Sequence, residues 1–158
     1  MDLVRFGRWT LRCDRAATEE AYRQVLQGAP ERCGCDPCKN FVAQRQSIYP
    51  AAVVSLFDQL GIDLAREAEI YHNGRMPSGL HHYGGWFHFV GSIERGEDAL
   101  VPVTAGGGTF ALESVSEHFQ LGFSAHIALA APSFSGKALV QVEFAAEIPW
   151  AISAAEPN

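Results

Sequence analysis

The chain has 158 residues, of which 47% are hydrophobic and 19% are charged, and its formal net charge at pH 7 is -6. This composition is typical of a globular protein and argues against a disordered chain. The acidic balance and the absence of a basic run argue against nucleic acid as a partner, because phosphate binding needs clustered Lys and Arg.

The length fits a single domain that spans residues 1–158. No run approaches the roughly 20 apolar residues that a membrane span needs, so we expect no membrane association. The first residues lack the apolar core of a signal peptide, which predicts a cytoplasmic protein. In that compartment, four cysteines are expected to be thiols, metal ligands or redox groups rather than structural disulfides.

The first part of the chain predicts one strand followed by helices. Alternating large apolar and polar residues predict a strand at 6–13. Early acidic residues and a following glycine predict a short helix at 18–26. After a polar link at 27–32, we expect helices at about 37–47 and 50–60.

From residue 69 onward the hydrophobic pattern alternates, and β-branched and aromatic residues dominate. We expect strands at about 69–72, 83–94, 108–113, 117–129 and 138–148, with the last two joined as a hairpin. Helices first and strands after predict an α+β fold. An N-terminal strand and two or three helices would pack on a mainly antiparallel sheet of about five or six strands.

Cys33, Cys35 and Cys38 fall within six positions, and this stretch is the strongest chemical signal in the chain. Asp36-Pro37 predicts a helix start, with Asp36 accepting from free backbone donors and Pro37 in the first turn. Cys38 would then lie in that first turn, where the positive end of the helix dipole favours a thiolate.

The Cys-x-Cys-x-x-Cys spacing can place three sulfurs around one metal ion, and zinc is the expected metal. A closed structural site needs a fourth ligand, for which Cys13, His72, His81, His82 and His88 are candidates. At these three cysteines the sequence is similar to zinc-dependent glutathione-adduct enzymes of the formaldehyde-activating type. The sequence assigns no catalytic residues and no organic cofactor.

Two other interpretations of the cysteines stay open. The stretch from Cys35 to Lys39 resembles the active-site Cys-x-Pro-Cys-Lys of thioredoxins, which implies a thiol-disulfide oxidoreductase using Cys35 and Cys38. In thioredoxins an apolar central strand leads into this motif, whereas residues 29–34 are polar here. Alternatively, the cysteines are reduced thiols that only help to pack the start of a helix.

The last two predicted strands each carry polar residues on one face. A hairpin centred on its loop would bring Glu143 near Ser124 and Glu147 near Gln120. A hydrolase interpretation makes Glu143 or Glu147 the base and His126 or His118 the proton carrier. The simpler interpretation is a solvated face, which antiparallel sheets commonly have.

Several segments together resemble a family of small uncharacterised bacterial proteins. They are the Cys-x-Cys-x-x-Cys-Lys-Asn-Phe stretch at 33–41, Leu-Gly-Ile-Asp at 60–63, Tyr-Gly-Gly-Trp-Phe-His-Phe-Val-Gly at 83–91, and the end of the last strand up to Trp150. The resemblance implies a bacterial cytoplasmic α+β protein and no assigned activity. Cys13 lies outside the pattern, which favours a histidine as fourth ligand, and we take His88 as that residue.

The expected function is therefore a zinc-binding accessory or ligand-binding domain with ligands Cys33, Cys35, Cys38 and His88. The alternatives are the oxidoreductase and the hydrolase. A small-molecule or protein ligand would bind on the sheet. Trp9, Trp86, Trp150 and ten phenylalanines make a homodimer a further expectation.

Overall fold

The computed structural model describes residues 1–104 and 106–158. Within them the chain forms nine strands, four α-helices and one turn of 3-10 helix, in the order β1 (Asp2–Phe6), β2 (Trp9–Cys13), α1 (Arg15–Arg23), α2 (Ala29–Cys33), α3 (Asp36–Ile48), α4 (Ala51–Leu60), β3 (Glu69–Arg75), β4 (His81–Arg95), β5 (Leu100–Pro102), β6 (Gly108–Phe110), β7 (Glu113–Ser116), β8 (Phe119–Ser124), the 3-10 turn (Pro132–Phe134) and β9 (Leu139–Ile148). The predicted α+β class is confirmed. In the described ranges, no helix has the length and apolar character needed to cross a membrane.

Seven strands form one antiparallel sheet in the order β1-β2-β4-β9-β8-β7, and β3 pairs with the same edge of β4 as β2 does. The long strands β4 and β9 lie at its centre and pair over ten residues. The predicted pairing of the last two strands is confirmed, since β8 and β9 are antiparallel neighbours. Strands β5 and β6 form a separate two-stranded ribbon.

The helices cover one face of this sheet. Alternation along the central strands directs Phe87 and Phe144 to that face, where both are buried. The ring of Tyr49, which follows α3, lies 5.9 Å from Phe87 and 5.5 Å from Phe144 between centroids. Phe57 of α4 lies 4.8 Å from Phe87. Helix α4 ends at Gly61, whose φ of +81° provides the left-handed turn that stops a helix.

One edge of β4 lacks a strand partner in its middle. Strand β3 pairs with residues 81–86 and β2 with residues 91–95. Between them, Tyr22 of α1 fills the gap: its hydroxyl accepts from the His88 backbone N–H at 3.1 Å and donates to the His88 carbonyl at 2.7 Å. Thr18 Oγ1 accepts from the Val90 N–H at 2.9 Å. Side chains of a helix thus satisfy buried backbone groups that a strand would otherwise pair.

Several boundaries differ from the sequence-based expectations. The strand predicted at 6–13 is the hairpin β1-β2, which turns at Gly7 with a φ of +55°. Helix α1 begins earlier than predicted, because Asp14 accepts from the Ala17 N–H at 3.0 Å and caps it. The predicted polar link at 27–32 contains α2. The strand predicted at 117–129 ends at Ser124, after which Asp98 accepts the Ala125 N–H.

Candidate metal centre

The three cysteines lie where one short helix ends and the next begins. Cys33 is the last residue of α2, and Gly34 follows with a φ of +67°, a left-handed conformation that favours glycine. Cys35 is the N-cap of α3, and Cys38 lies in the first turn of that helix. The prediction that Asp36 caps the helix is wrong: Asp36 is the first helical residue, and no side chain caps the end.

The sulfurs of Cys33, Cys35 and Cys38 all lie within 4.8 Å of one another. Cys33 Sγ and Cys35 Sγ are 3.3 Å apart. Tetrahedral zinc with Zn–S bonds of about 2.3 Å needs sulfurs roughly 3.8 Å apart, which is close to this arrangement. The cluster can therefore hold a metal ion with only small side-chain adjustments.

The surroundings of the thiols oppose the predicted activation of Cys38. Burial raises the pKa of Cys38, and the neighbouring thiols of Cys35 and Cys33 raise it further. This burial opposes the activation predicted from the position of Cys38 in the first turn of α3, because desolvation disfavours the charged thiolate. Cys33 is exposed, and hydrogen bonding to the Cys35 backbone, then to its thiol, lowers the pKa of Cys33.

A buried tyrosine attaches the start of α3 to the sheet. Tyr83 of β4 donates its hydroxyl to the Pro37 carbonyl at 2.7 Å. The Asn40 side chain donates to the same hydroxyl at 3.3 Å and to the Pro149 carbonyl at 3.1 Å, and its oxygen accepts from the Ala151 N–H at 2.8 Å. The turn that carries Cys38 is therefore fixed both to the central strand and to the segment after β9.

An ion-pair network holds α2 against α3. Arg45 of α3 makes two hydrogen bonds to Glu31 of α2, at 2.6 and 3.0 Å, and two to Glu67, at 2.7 and 3.0 Å. Tyr49 donates to Glu67 at 2.8 Å. Arg45 lowers the pKa of Glu31, whereas full burial raises the pKa of Glu67 despite the same partner. This network sets the position of Cys33 relative to Cys35 and Cys38.

His88, which the sequence analysis took as the fourth metal ligand, lies away from the three cysteines. In the described part of the chain, the group of potential ligands consists of the three cysteines, and His88 is not among them. Alternation along β4 directs Phe87 and Phe89 towards the helices and His88 to the opposite face. There its Nε2 lies 3.0 Å from Gln141 Oε1. Cys13 is also engaged elsewhere, because its thiol donates to the Leu60 carbonyl at 3.3 Å.

The other candidate histidines form separate contacts near the C-terminus. His72 Nε2 lies 2.9 Å from His81 Nδ1, and His81 Nε2 lies 2.8 Å from Glu156 Oε1. His82 Nδ1 lies 2.9 Å from the Asn73 side chain. Burial lowers the pKa of His72, and the neighbouring His81 lowers it further. Glu156 gave no signal in the sequence, because its contact with His81 joins residues 75 positions apart.

The sheet face opposite the helices is covered where a solvated surface was expected. The Ala128 N–H donates to Gln141 Oε1 at 2.8 Å, and Trp86 Nε1 donates to the Ala128 carbonyl at 2.9 Å, so the β8-β9 connection crosses this face. Gln141 in turn donates to Glu143, and both are buried. Burial raises the pKa of Glu143 to about 7.

Of the predicted histidine and glutamate pairs, the structure brings together His118 and Glu147, whereas Glu143 is bonded to Gln141. The register places Glu143 opposite Gly122 and Gln141 opposite Ser124, which corrects the expected pairing of Glu143 with Ser124 by two residues. Glu147 lies 3.3 Å from His118 in an exposed pair. His126 is exposed on the connection beyond β8.

Comparison of the chain with protein-family models, with curated proteins and with solved structures finds no match. The bacterial family suggested by the motif segments stays a prediction. Function is therefore inferred from the contacts of this chain.

Proposed function

We propose that this protein is a zinc-binding domain in which Cys33, Cys35 and Cys38 supply three ligands. The observation that supports it is the convergence of three sulfurs within 4.8 Å at the junction of α2 and α3. Thiolates are soft ligands and suit zinc among the metals available to proteins. Binding would also offset the burial of Cys38, because a coordinated thiol is held deprotonated by the cation.

The arrangement favours a site with one position open to an external ligand. Cys33 and Cys35 are exposed, whereas Cys38 is buried and faces the fold. Three protein ligands leave the fourth tetrahedral position for water or a bound molecule. We propose an accessory or ligand-binding role at this position, with Asn40 and Tyr83 as the residues that hold the cysteine turn in place.

Thiol-disulfide exchange is the second candidate, and the exposed Cys33 favours it. The lowered pKa of Cys33 and the raised pKa of the buried Cys38 favour Cys33 as the attacking thiolate, in place of the pair Cys35 and Cys38 expected from the sequence. Cys35, whose sulfur is 3.3 Å away, would resolve the mixed disulfide. In that reaction a substrate disulfide is reduced to two thiols while Cys33 and Cys35 become a disulfide.

The test combines elemental analysis with a thiol count on protein purified without a metal-chelating tag. A zinc site predicts about one zinc per chain and loss of that zinc in Cys33→Ser and Cys35→Ser. Cys13→Ala is the matched control, because Cys13 is buried away from the cluster, and it should retain the metal.

Two results would reject the zinc proposal. Metal-free protein that cannot be loaded with zinc and has three freely reacting thiols would leave the cysteines without a metal role. Metal-free protein that exchanges with a small disulfide and accumulates a Cys33-Cys35 disulfide by mass spectrometry would support the redox candidate instead.

A further inference from the structure

A cavity of about 670 Å³ lies beside the gap in the sheet edge. Its lining comes from the end of α1, from residues 66–69 and from the connection at 129–134, and it includes Tyr22 and His88. Cavities of 300–1,000 Å³ are the usual size for sites that bind small molecules. Helix α1, rather than a strand, occupies the gap between β2 and β3, and Tyr22 of this helix lines the cavity.

The lining of this cavity is largely apolar, including at its rim. Val25 and Phe134 line it, and Phe134 is buried. Leu26 and Leu129 also line it, although their side chains are 91% and 65% exposed. Leu129 has a φ of +54°, a left-handed conformation that is costly for leucine. Two large apolar side chains are thus held in water at the cavity, where a ligand could cover them.

Two arginines line the cavity. Arg66 donates through Nε to the Val25 carbonyl at 3.0 Å, and Arg32 donates through Nη1 to the Gln27 carbonyl at 2.8 Å. Across residues 1–104 and 106–158, neither guanidinium makes an ion pair with a carboxylate. A guanidinium that is bonded only to neutral carbonyls keeps its full charge and further donors for an anion.

Two carboxylates also line the cavity. Glu67 is already bonded by Arg45 and Tyr49. Glu69 accepts the N–H of Ile70, and within the described residues it makes no ion pair with Arg32 or Arg66. Neither carboxylate occupies the donors of Arg32 and Arg66, which stay available for one carboxylate of a ligand.

From this combination of an apolar lining, exposed leucines and two arginines without carboxylate partners, we propose that the cavity binds a small apolar molecule that carries one carboxylate. The apolar body packs against Val25, Phe134 and the two leucines, and the carboxylate pairs with Arg66 and Arg32. This site uses none of the three cysteines and does not depend on the zinc proposal.

The experiment is a calorimetric titration with three probes that share one ring system: 2-naphthoate, 2-naphthalenemethanol and 2-naphthylmethylammonium. We expect 2-naphthoate to bind at least about tenfold more tightly than the neutral alcohol, since a hydrogen bond to a charged group contributes about that factor or more. The cation should bind most weakly. Equal binding of all three probes, or no binding of 2-naphthoate, would overturn the proposal.

Variants of the cavity residues test where the carboxylate of 2-naphthoate binds. Arg32→Gln and Arg66→Gln should each weaken 2-naphthoate about tenfold and leave the alcohol unchanged. Glu69→Gln should tighten 2-naphthoate by removing a repulsive charge, an effect that general damage to the fold would not produce. Arg23→Gln, on the exposed end of α1, is the matched control. Unchanged affinity in both cavity arginine variants would refute the assignment even if one of them folds poorly.

A carboxylate could also bind to a zinc ion at the cysteines, so the titration is repeated after zinc is removed with a chelator. Undiminished binding of 2-naphthoate places it in the cavity, whatever the outcome for the metal. Loss of binding on chelation, with recovery on adding zinc, would assign the carboxylate to the metal and reject the cavity site.

Discussion

Replacing Glu143 by glutamine should make the protein more stable above neutral pH. Glu143 is 2% exposed, and the polar side chain that bonds it is Gln141. Burial raises its pKa from an ordinary 4.5 to about 7. The folded protein therefore holds a proton between those pH values that the unfolded chain has released, so this residue lowers the stability as the pH rises from about 4.5 to about 7.

The size of the effect follows from the two pKa values. At about 1.4 kcal/mol for each tenfold change in proton affinity, the difference between 4.5 and about 7 corresponds to roughly 3 kcal/mol above pH 7. Glutamine is neutral throughout and retains an oxygen that accepts from Gln141. The stability gained by Glu143→Gln should therefore be near zero at about pH 4.5 and grow to at most about 3 kcal/mol by about pH 8.

Urea denaturation followed by tryptophan fluorescence, at several pH values from about 5 to about 8, measures this difference. Other groups also contribute to the pH dependence of the stability. The contributions of those that lie outside the network of His88, Gln141 and Glu143 cancel when the variant is compared with the wild type at each pH. Glu147→Gln is the control, because Glu147 lies on the same strand in an exposed pair with His118. A Glu143→Gln difference that is constant with pH, or a loss of stability at about pH 8, would refute the reasoning.

Two further predictions concern the geometry of the cysteine cluster. Arg45→Met should lower the free energy of unfolding by about 3–5 kcal/mol and weaken zinc binding, because it leaves the charge of Glu67 buried without its partner. Arg15→Met is the control, because it removes only exposed ion pairs, and it should lower the free energy of unfolding by less than about 1 kcal/mol in the same denaturation assay. If Arg45→Met and Arg15→Met lowered the stability equally, the ion-pair network around Arg45 would not be what holds α2. Gly34→Ala should cost about 1–2 kcal/mol, and a zinc titration should show weaker binding, because alanine disfavours the left-handed turn between Cys33 and Cys35. Gly34→Asn tolerates that conformation better and should retain more of the affinity; the reverse order would count against the role of the turn.

The parts of the fold that were predicted correctly are those with a local signal. Alternation identified β4 and β9, because one face of each packs on helices. The spacing of three cysteines around a glycine and a helix start was enough to expect their sulfurs to meet. Helix α2 was missed because residues 27–32 look polar, and its stability depends on the pairing of Glu31 with Arg45, 14 positions away.

The covered polar face was missed for a similar reason. In the sequence, Gln141 and Glu143 have the alternation of a solvated strand face. Only the path of the β8-β9 connection, which places Ala128 between Trp86 and Gln141, buries them. A pattern of alternating polarity reports which residues share a face, but it does not report whether another segment covers that face.

The cysteine stretch and the Tyr-Gly-Gly segment, which the sequence analysis singled out, are in contact in the structure. Tyr83 begins the Tyr-Gly-Gly segment, and its hydroxyl is bonded to Pro37 and Asn40 within the cysteine stretch. The next residue, Gly84, lies under the ring of Tyr71, where an added Cβ would collide with that ring. Glycine thus lets the Tyr71 side chain of β3 lie across β4 on one face of the sheet, while Tyr83 reaches the helix on the other face. A change in either segment would therefore shift the turn that carries Cys38, so the cysteine geometry depends on both.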